Sequence, residues 1–164
     1  MIEFKTLTSF ETAYIFKGFD CGDENLNKYI KTHAYQNDKN HLSKTFVCFD
    51  NNVPVGFVTL CNSQLDFEEM PTSYKKKHPR YPVPAIKIAR LAVEKSLQGR
   101  GYGKDIITFA FKKAIQVSLN VGVKAIIVDA KESAKNFYLK YGFIHLKDQT
   151  YFLPIETIVE ALLN

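Results

Sequence analysis

Leu91-Ala92-Val93-Glu94-Lys95-Ser96-Leu97-Gln98-Gly99-Arg100-Gly101-Tyr102-Gly103-Lys104 decides the reading of this 164-residue chain. An apolar strand runs into a turn holding three glycines. The turn opens directly into a periodic stretch whose Ile106, Ile107, Ala110, Phe111, Ala114 and Ile115 share one helical face. The first turn of a helix leaves backbone N–H groups unpaired and carries the positive end of the macrodipole. Glycines let an anion approach that backbone closely and permit φ above zero in the turn. Arg100 and Lys104 add positive charge beside it. The physics predicts an anion site, most simply one for a pyrophosphate.

Two familiar nucleotide motifs do not fit. A P-loop needs Ser or Thr after its Gly-Lys, whereas Asp105 follows Lys104 and Gln98 stands where the first glycine belongs. A Rossmann fingerprint needs a third glycine where Ile106 stands. What remains is QxxGxG, formed by Gln98, Gly101 and Gly103.

Outward from the loop, residues 85–93 read as a long, largely buried strand and residues 124–130 as another. Ala134, Phe137, Tyr138 and Tyr141 mark one face of a short helix that stops at Gly142. Tyr151-Phe152-Leu153-Pro154-Ile155 predicts a last strand followed by a short helix. In the first half, residues 2–7 alternate as a half-buried strand does. Asp23 suits the N-cap of a helix burying Leu26, Tyr29, Ile30 and Ala34, with His33 at its polar edge. Residues 45–49 and 55–60, joined through Asp50-Asn51-Asn52, read as a hairpin. Residues 62–84 hold Pro71, Pro79, Pro82 and Pro84 and the cluster Lys75-Lys76-Lys77-His78-Pro79-Arg80, and are expected as a loop or short helix. Those lysines are either a solvated face or a contact to substrate phosphate.

The pattern is α+β in one domain, 1–164: an antiparallel first half, then strand–helix–strand–helix. The 46% hydrophobic and 24% charged composition is that of a globule and excludes disordered or collagen-like chains. No apolar run approaches the roughly 20 residues of a membrane helix, and the first residues lack a basic-then-apolar signal, so a cytoplasmic protein without membrane attachment is expected. Cys21, Cys48 and Cys61 form no CxxC pair, and the four histidines lack HxxxH or HExxH spacing, so no metal is expected. The net charge of +5 suits a phosphate-bearing partner without demanding nucleic acid.

Arg90-Leu91-Ala92-Val93, the Gln98–Lys104 loop with its helix, and Asn136-Phe137-Tyr138-Leu139-Lys140-Tyr141-Gly142-Phe143 together resemble the GNAT N-acetyltransferase family. Phe19-Asp20-Cys21-Gly22, Leu26-Asn27, Tyr29-Ile30 and Lys44-Thr45-Phe46-Val47 resemble its toxin branch, which acetylates the α-amine of aminoacyl-tRNA and is restrained by a small DNA-binding antitoxin. The resemblance implies the GNAT fold, a three-layer α/β arrangement with a mixed, mostly antiparallel sheet of six to seven strands and helices on both faces. It implies acetyl-CoA as cosubstrate and a homodimer. It assigns the pantetheine arm to the backbone of Leu91, Ala92 and Val93. The pyrophosphate falls to the amides of Gln98, Gly99, Arg100, Gly101, Tyr102, Gly103 and Lys104, and a cofactor contact to Asn136. A peptide N–H near Val93 becomes the oxyanion donor.

Tyr138 is the candidate general acid; packing with Phe137 and Tyr141 is the other account of it. A phenol near pKa 10 protonates a thiolate near 8.5 uphill by about 1.5 units, about 2 kcal/mol. Glu94 is the one carboxylate nominated as base, with a plain surface role as the alternative. Arg90 in a buried-looking strand needs either an ion-pair partner or a place in the acceptor site. Lys75, Lys76 and Lys77 are the candidate tRNA contacts. Acetylation of a small amine or a protein N-terminus, or a silent CoA-binding module, stay open as other functions.

Overall fold

The computed structural model describes residues 1–9 and 12–164. Seven strands form one sheet: β1 (Ile2–Thr6), β2 (Lys44–Asp50), β3 (Val53–Leu65), β4 (Val83–Val93), β5 (Ala125–Asp129), β6 (Ile144–Lys147) and β7 (Thr150–Pro154). Their order is β1-β2-β3-β4-β5-β7-β6. Pairing is antiparallel for β1 with β2, β2 with β3, β5 with β7 and β6 with β7, and parallel for β4 with β5. The helices are α1 (Thr12–Ile15), α2 (Glu24–Lys28), α3 (Ala34–Lys39), α4 (Thr72–Lys75), α5 (Tyr102–Ser118), α6 (Lys135–Lys140) and α7 (Ile155–Leu163). This is the mixed, mostly antiparallel sheet expected.

The described chain packs as two units. The first takes Met1–Cys61 and Ala89–Ala110. Its core joins Leu7, Phe16, Phe19, Ile30, Val47 and Phe57. The β2–β3 turn places Asn51 and Asn52 at φ 48° and 67°, the paired positive values that a tight hairpin turn needs and that Asn tolerates. Asp23 caps α2 as expected, its carboxylate accepting from the N–H groups of Asn25 and Leu26 at 2.9 and 3.2 Å. The helix after α2 is not uniform: residues Tyr29–His33 form a π-turn before α3, closed by Ala34 N–H on the Tyr29 carbonyl. His33 is exposed.

The second unit takes Asn62–Ile88 and Phe111–Asn164. Leu65, Met70, Val83, Ala125, Ile127 and Phe152 form one cluster in it. Gly142 ends α6 as expected, the N–H of Phe143 reaching the Tyr138 carbonyl at 3.2 Å and that of Gly142 the Leu139 carbonyl at 3.0 Å.

Three expectations are corrected. Residues 62–84 are not one irregular segment, because β3 continues to Leu65 and β4 begins at Val83. Ile144–Lys147 forms β6, a short alternating strand that was not among those expected. Arg90 is exposed even though Ile88 and Ala92, on the same side of β4, are buried; its apolar neighbours alone made the strand look buried.

Candidate functional site

The end of β4 and the start of α5 lie in the first unit, and each residue between them has a traceable job. Gly56 of β3 lets the chain pass close: a Cβ there would lie 2.5 Å from the Ala92 carbonyl oxygen and 2.7 Å from Ile106 Cδ1. Sequence reasoning missed this residue, whose only signal is one glycine inside a strand. Beyond Val93, the Glu94 N–H bonds the Val55 carbonyl at 2.9 Å. Residues Lys95–Leu97 form a 3₁₀ turn capped by the Glu94 carboxylate, which accepts from the Ser96 N–H at 2.6 Å and from the Ser96 hydroxyl. Glu94 is thus engaged as a cap rather than poised as a base.

Gln98 differs from its expected role. Its N–H donates to the Lys95 carbonyl at 3.4 Å, and its side-chain amide donates to the carbonyls of Val93 and Cys21 at 3.0 and 3.1 Å. The residue pins the loop from behind. Gly99 and Gly101 follow at φ 80° and 93°, in open space where only backbone conformation selects glycine. The first helical bond of α5 comes from the Asp105 N–H to the Gly101 carbonyl at 3.2 Å. Among the described residues, the N–H groups of Gly99, Arg100, Gly101, Tyr102, Gly103 and Lys104 find no acceptor within the chain. Six consecutive backbone donors at the positive end of a 17-residue helix are the donors and the dipole that could hold an anion, a candidate cradle. Arg100 and Lys104 make no ion pair among the described residues, so their charges are uncommitted. The Tyr102 hydroxyl donates to Asp50 Oδ2 at 2.6 Å and ties the first turn of α5 to the end of β2. That bond, with the chain's first amino group beside it, holds the Asp50 carboxyl below its usual range.

Arg90 lays its guanidinium 4.6 Å from the centroid of the Tyr29 ring and donates to the Ala89 carbonyl at 2.8 Å. It has no carboxylate partner among the described residues, which removes the ion-pair account. An exposed cation stacked on an aromatic face keeps its charge available to a ligand.

In the second unit, Tyr138 is 6% exposed and packs edge-on against Phe137 and Phe143, with centroids 5.1 and 5.4 Å away. Its hydroxyl has no hydrogen-bond partner among the described residues and is not sealed from solvent. Burial raises the phenol well above its ordinary value. The ring packs as one reading expects, and the hydroxyl has no partner within the described residues. Asn136, two residues earlier on α6, is exposed. Of the lysine cluster, Lys75 is already paired with Glu68 at 3.3 Å and lies over the Phe67 ring, while Lys76 and Lys77 are exposed.

Cys48 is buried, and burial pushes its thiol up to about 12, so it is inert. Among the described residues, no group of three or more His, Cys, Asp or Glu is placed to hold a metal ion, and no helix is long and apolar enough to cross a membrane.

Residues 41–145 match the family model described as the acetyltransferase (GNAT) domain. A tRNA-acetylating toxin of Mycobacterium tuberculosis is 33% identical over 127 residues, which span 76% of this chain and 75% of that protein. The structure of AtaT complexed with acetyl-methionyl-tRNAfMet superposes with a TM-score of 0.90 at 30% identity, covering the whole of both chains. A mutant AtaT bound to the C-terminus of the antitoxin AtaR and acetyl-CoA superposes with a TM-score of 0.84 at 27% identity, covering 100% of this chain and 99% of that one.

Proposed function

The chain belongs to the GNAT acetyltransferase family, and from that premise we propose that it transfers an acetyl group from acetyl-CoA to the α-amine of aminoacyl-tRNA, as a toxin restrained by an antitoxin. The observation that carries the cofactor half of this reading is the run of six unpaired N–H groups from Gly99 to Lys104. Their number and their place at a helix start suit a diphosphate. Similarity to a tRNA-acetylating toxin and to AtaT with acetyl-methionyl-tRNAfMet supports the acceptor half. Both reactants belong to the cytoplasm, where reduced Cys21, Cys48 and Cys61 are at home.

When bound, acetyl-CoA supplies an acetyl thioester already activated for attack. The residues of this chain do the rest. Amides 99–104 hold the diphosphate, with Arg100 and Lys104 adding charge, and the backbone of Leu91, Ala92 and Val93 holds the pantetheine arm. Tyr138, whose hydroxyl has no partner among the described residues, is the residue we assign to the leaving thiolate. Because burial raises that phenol above 10, full proton transfer to a thiolate near 8.5 costs more than about 2 kcal/mol. Tyr138 therefore acts chiefly by donating a hydrogen bond as the thiolate leaves, and solvent completes the protonation. No carboxylate base is required: an α-amine of pKa about 7.7–8.0 is neutral in roughly a tenth to a third of molecules at physiological pH, unlike a lysine amine near 10.4. This fits Glu94 serving as a cap. Exposed Arg90, Lys76 and Lys77 provide positive charge for an acceptor rich in phosphate.

Labelled acetyl-CoA incubated with a mixed pool of aminoacyl-tRNA tests the reading. Label on the aminoacyl ester, released by mild alkali as N-acetyl amino acid, is the expected result. Label confined to small amines or protein N-termini would overturn the acceptor assignment.

A further inference from the structure

Phe19-Asp20-Cys21-Gly22 and Asn27 have no part in the chemistry above, yet they converge on the loop that has. Phe19 anchors the segment in the first unit's core, edge-on to Phe16 at 5.3 Å and tilted against Phe57 at 6.1 Å. The next residue grips both sides. The Asp20 carbonyl accepts the Lys95 N–H at 2.8 Å, and Asp20 Oδ2 takes the Lys95 ammonium at 2.8 Å. Asp20 Oδ1 accepts from the Gly22 N–H at 2.8 Å and from Asn27 Nδ2 at 2.9 Å. Asn27 in turn accepts the Cys21 N–H at 2.9 Å, which aims the Cys21 carbonyl at the Gln98 side chain. Lys95 and Gln98, which lead into the cradle, are thereby tied to one short segment leading into α2.

We infer that Asp20 and Asn27 are positioning residues: through Lys95 and Gln98 they hold residues 98–104 in the shape that receives the diphosphate of acetyl-CoA, without touching it. Asp20 is not a hidden base. The Lys95 ammonium, the Asn27 amide and the Gly22 N–H hold its carboxyl far below the usual range, so it takes no proton near neutral pH. A half-buried carboxylate with one oxygen held by its own segment, through Gly22 and Asn27, and the other by Lys95 of the neighbouring loop serves geometry. A loop free to collapse would let its six N–H groups turn to water or to nearby carbonyls, and binding would then have to reorganise them.

The inference rests on the acetyl-CoA reading, and the test separates the two. Steady-state kinetics and calorimetry are run on the full chain, Asp20→Ala and Asp20→Asn, with acetyl-CoA and with S-acetylpantetheine, a donor that lacks the diphosphate. Asp20→Ala is expected to raise KM for acetyl-CoA and Kd for CoA about tenfold, as loss of hydrogen bonds to a charged group does. Its kcat at saturating donor and its kcat/KM with S-acetylpantetheine stay within about twofold of the parent. Asp20→Asn keeps an oxygen for Gly22 and Asn27 and loses only an exposed ion pair, so it weakens acetyl-CoA less than about threefold. Should Asp20→Ala fail to fold, Asn27→Ala carries the same donor-selective expectation. A folded Asp20→Ala that binds CoA like the parent, or that loses equally with both donors, overturns the clamp alone. A parent that binds no CoA overturns the acetyl-CoA reading and the clamp with it.

Discussion

Placing a Cβ on Gly101 separates the two things glycine does in this loop. Gly101 stands at φ 93°, and an added Cβ would meet nothing within 4 Å, so Gly101→Ala changes no contact and introduces only backbone strain. Left-handed conformations cost an L-residue about 1–2 kcal/mol. If the free protein keeps the loop shape, the cost falls on folding and lowers stability by that amount. If the loop relaxes when empty, the cost falls on binding and weakens CoA about 5- to 30-fold, at tenfold per 1.4 kcal/mol. The two losses together should total about 1–2 kcal/mol. Gly103 is the control. It lies in α5 and is not among the residues with positive φ, so Gly103→Ala removes a helix-weakening glycine and should raise stability by up to about 1 kcal/mol. Its methyl group would still stand where the diphosphate approaches the backbone, and CoA affinity should fall at least tenfold. Thermal unfolding and calorimetry with CoA read both quantities. A Gly101→Ala chain with unchanged stability and unchanged affinity would refute the strain argument, and full CoA affinity in Gly103→Ala would refute close approach at that amide.

Other expectations follow from the same geometry. Tyr138→Phe should leave acetyl-CoA affinity nearly unchanged and lower kcat tenfold or more, and any alkaline limb of kcat below pH 10 should persist in it, since burial keeps this phenol protonated there. Charge reversal at Lys76 and Lys77 should weaken aminoacyl-tRNA modification and flatten its salt dependence, whereas reversal at Lys75, already paired with Glu68, should do less. Asp129 is pushed up by burial, but hydrogen bonds from Lys87 and Thr150 prevail and its folded pKa lies below the ordinary value. Its contribution to stability is thus present above about pH 3.9 and lost as pH falls through the folded value. For so exposed a pair it is less than about 1 kcal/mol. Thermal scans from pH 6 to pH 2.5 should show a shallower decline for Asp129→Asn than for the parent.

How far the sequence alone carries depends on whether a residue's role is local. The cradle was legible because strand, glycine turn and helical stripe are contiguous, and every part of that signal falls within residues 85–115. The hairpin and the Asp23 cap were legible for the same reason. β6 was not: Ile144-His145-Leu146-Lys147 alternates apolar and polar, but over only four residues with Leu146 alone half-buried, too short a run to stand out. Arg90 misled because its apolar neighbours read as burial, whereas its side chain lies over the ring of Tyr29, 61 positions away, and stays exposed. Tyr29–His33 keeps helical spacing in the sequence, and the π-turn emerges only from the backbone bond it makes. Gly56 meets Ala92 36 positions away, Asp20 meets Lys95 75 away and Gln98 reaches Cys21 77 away, distances no local pattern encodes.

Amide nuclear magnetic resonance of the isotopically labelled chain, titrated with CoA, reports on the cradle itself. The account predicts that the N–H signals of Gly99, Arg100, Gly101, Tyr102, Gly103 and Lys104 shift first and furthest, and that inorganic pyrophosphate moves the same set. Signals from residues 99–104 that stay in place while CoA saturates the protein would contradict it.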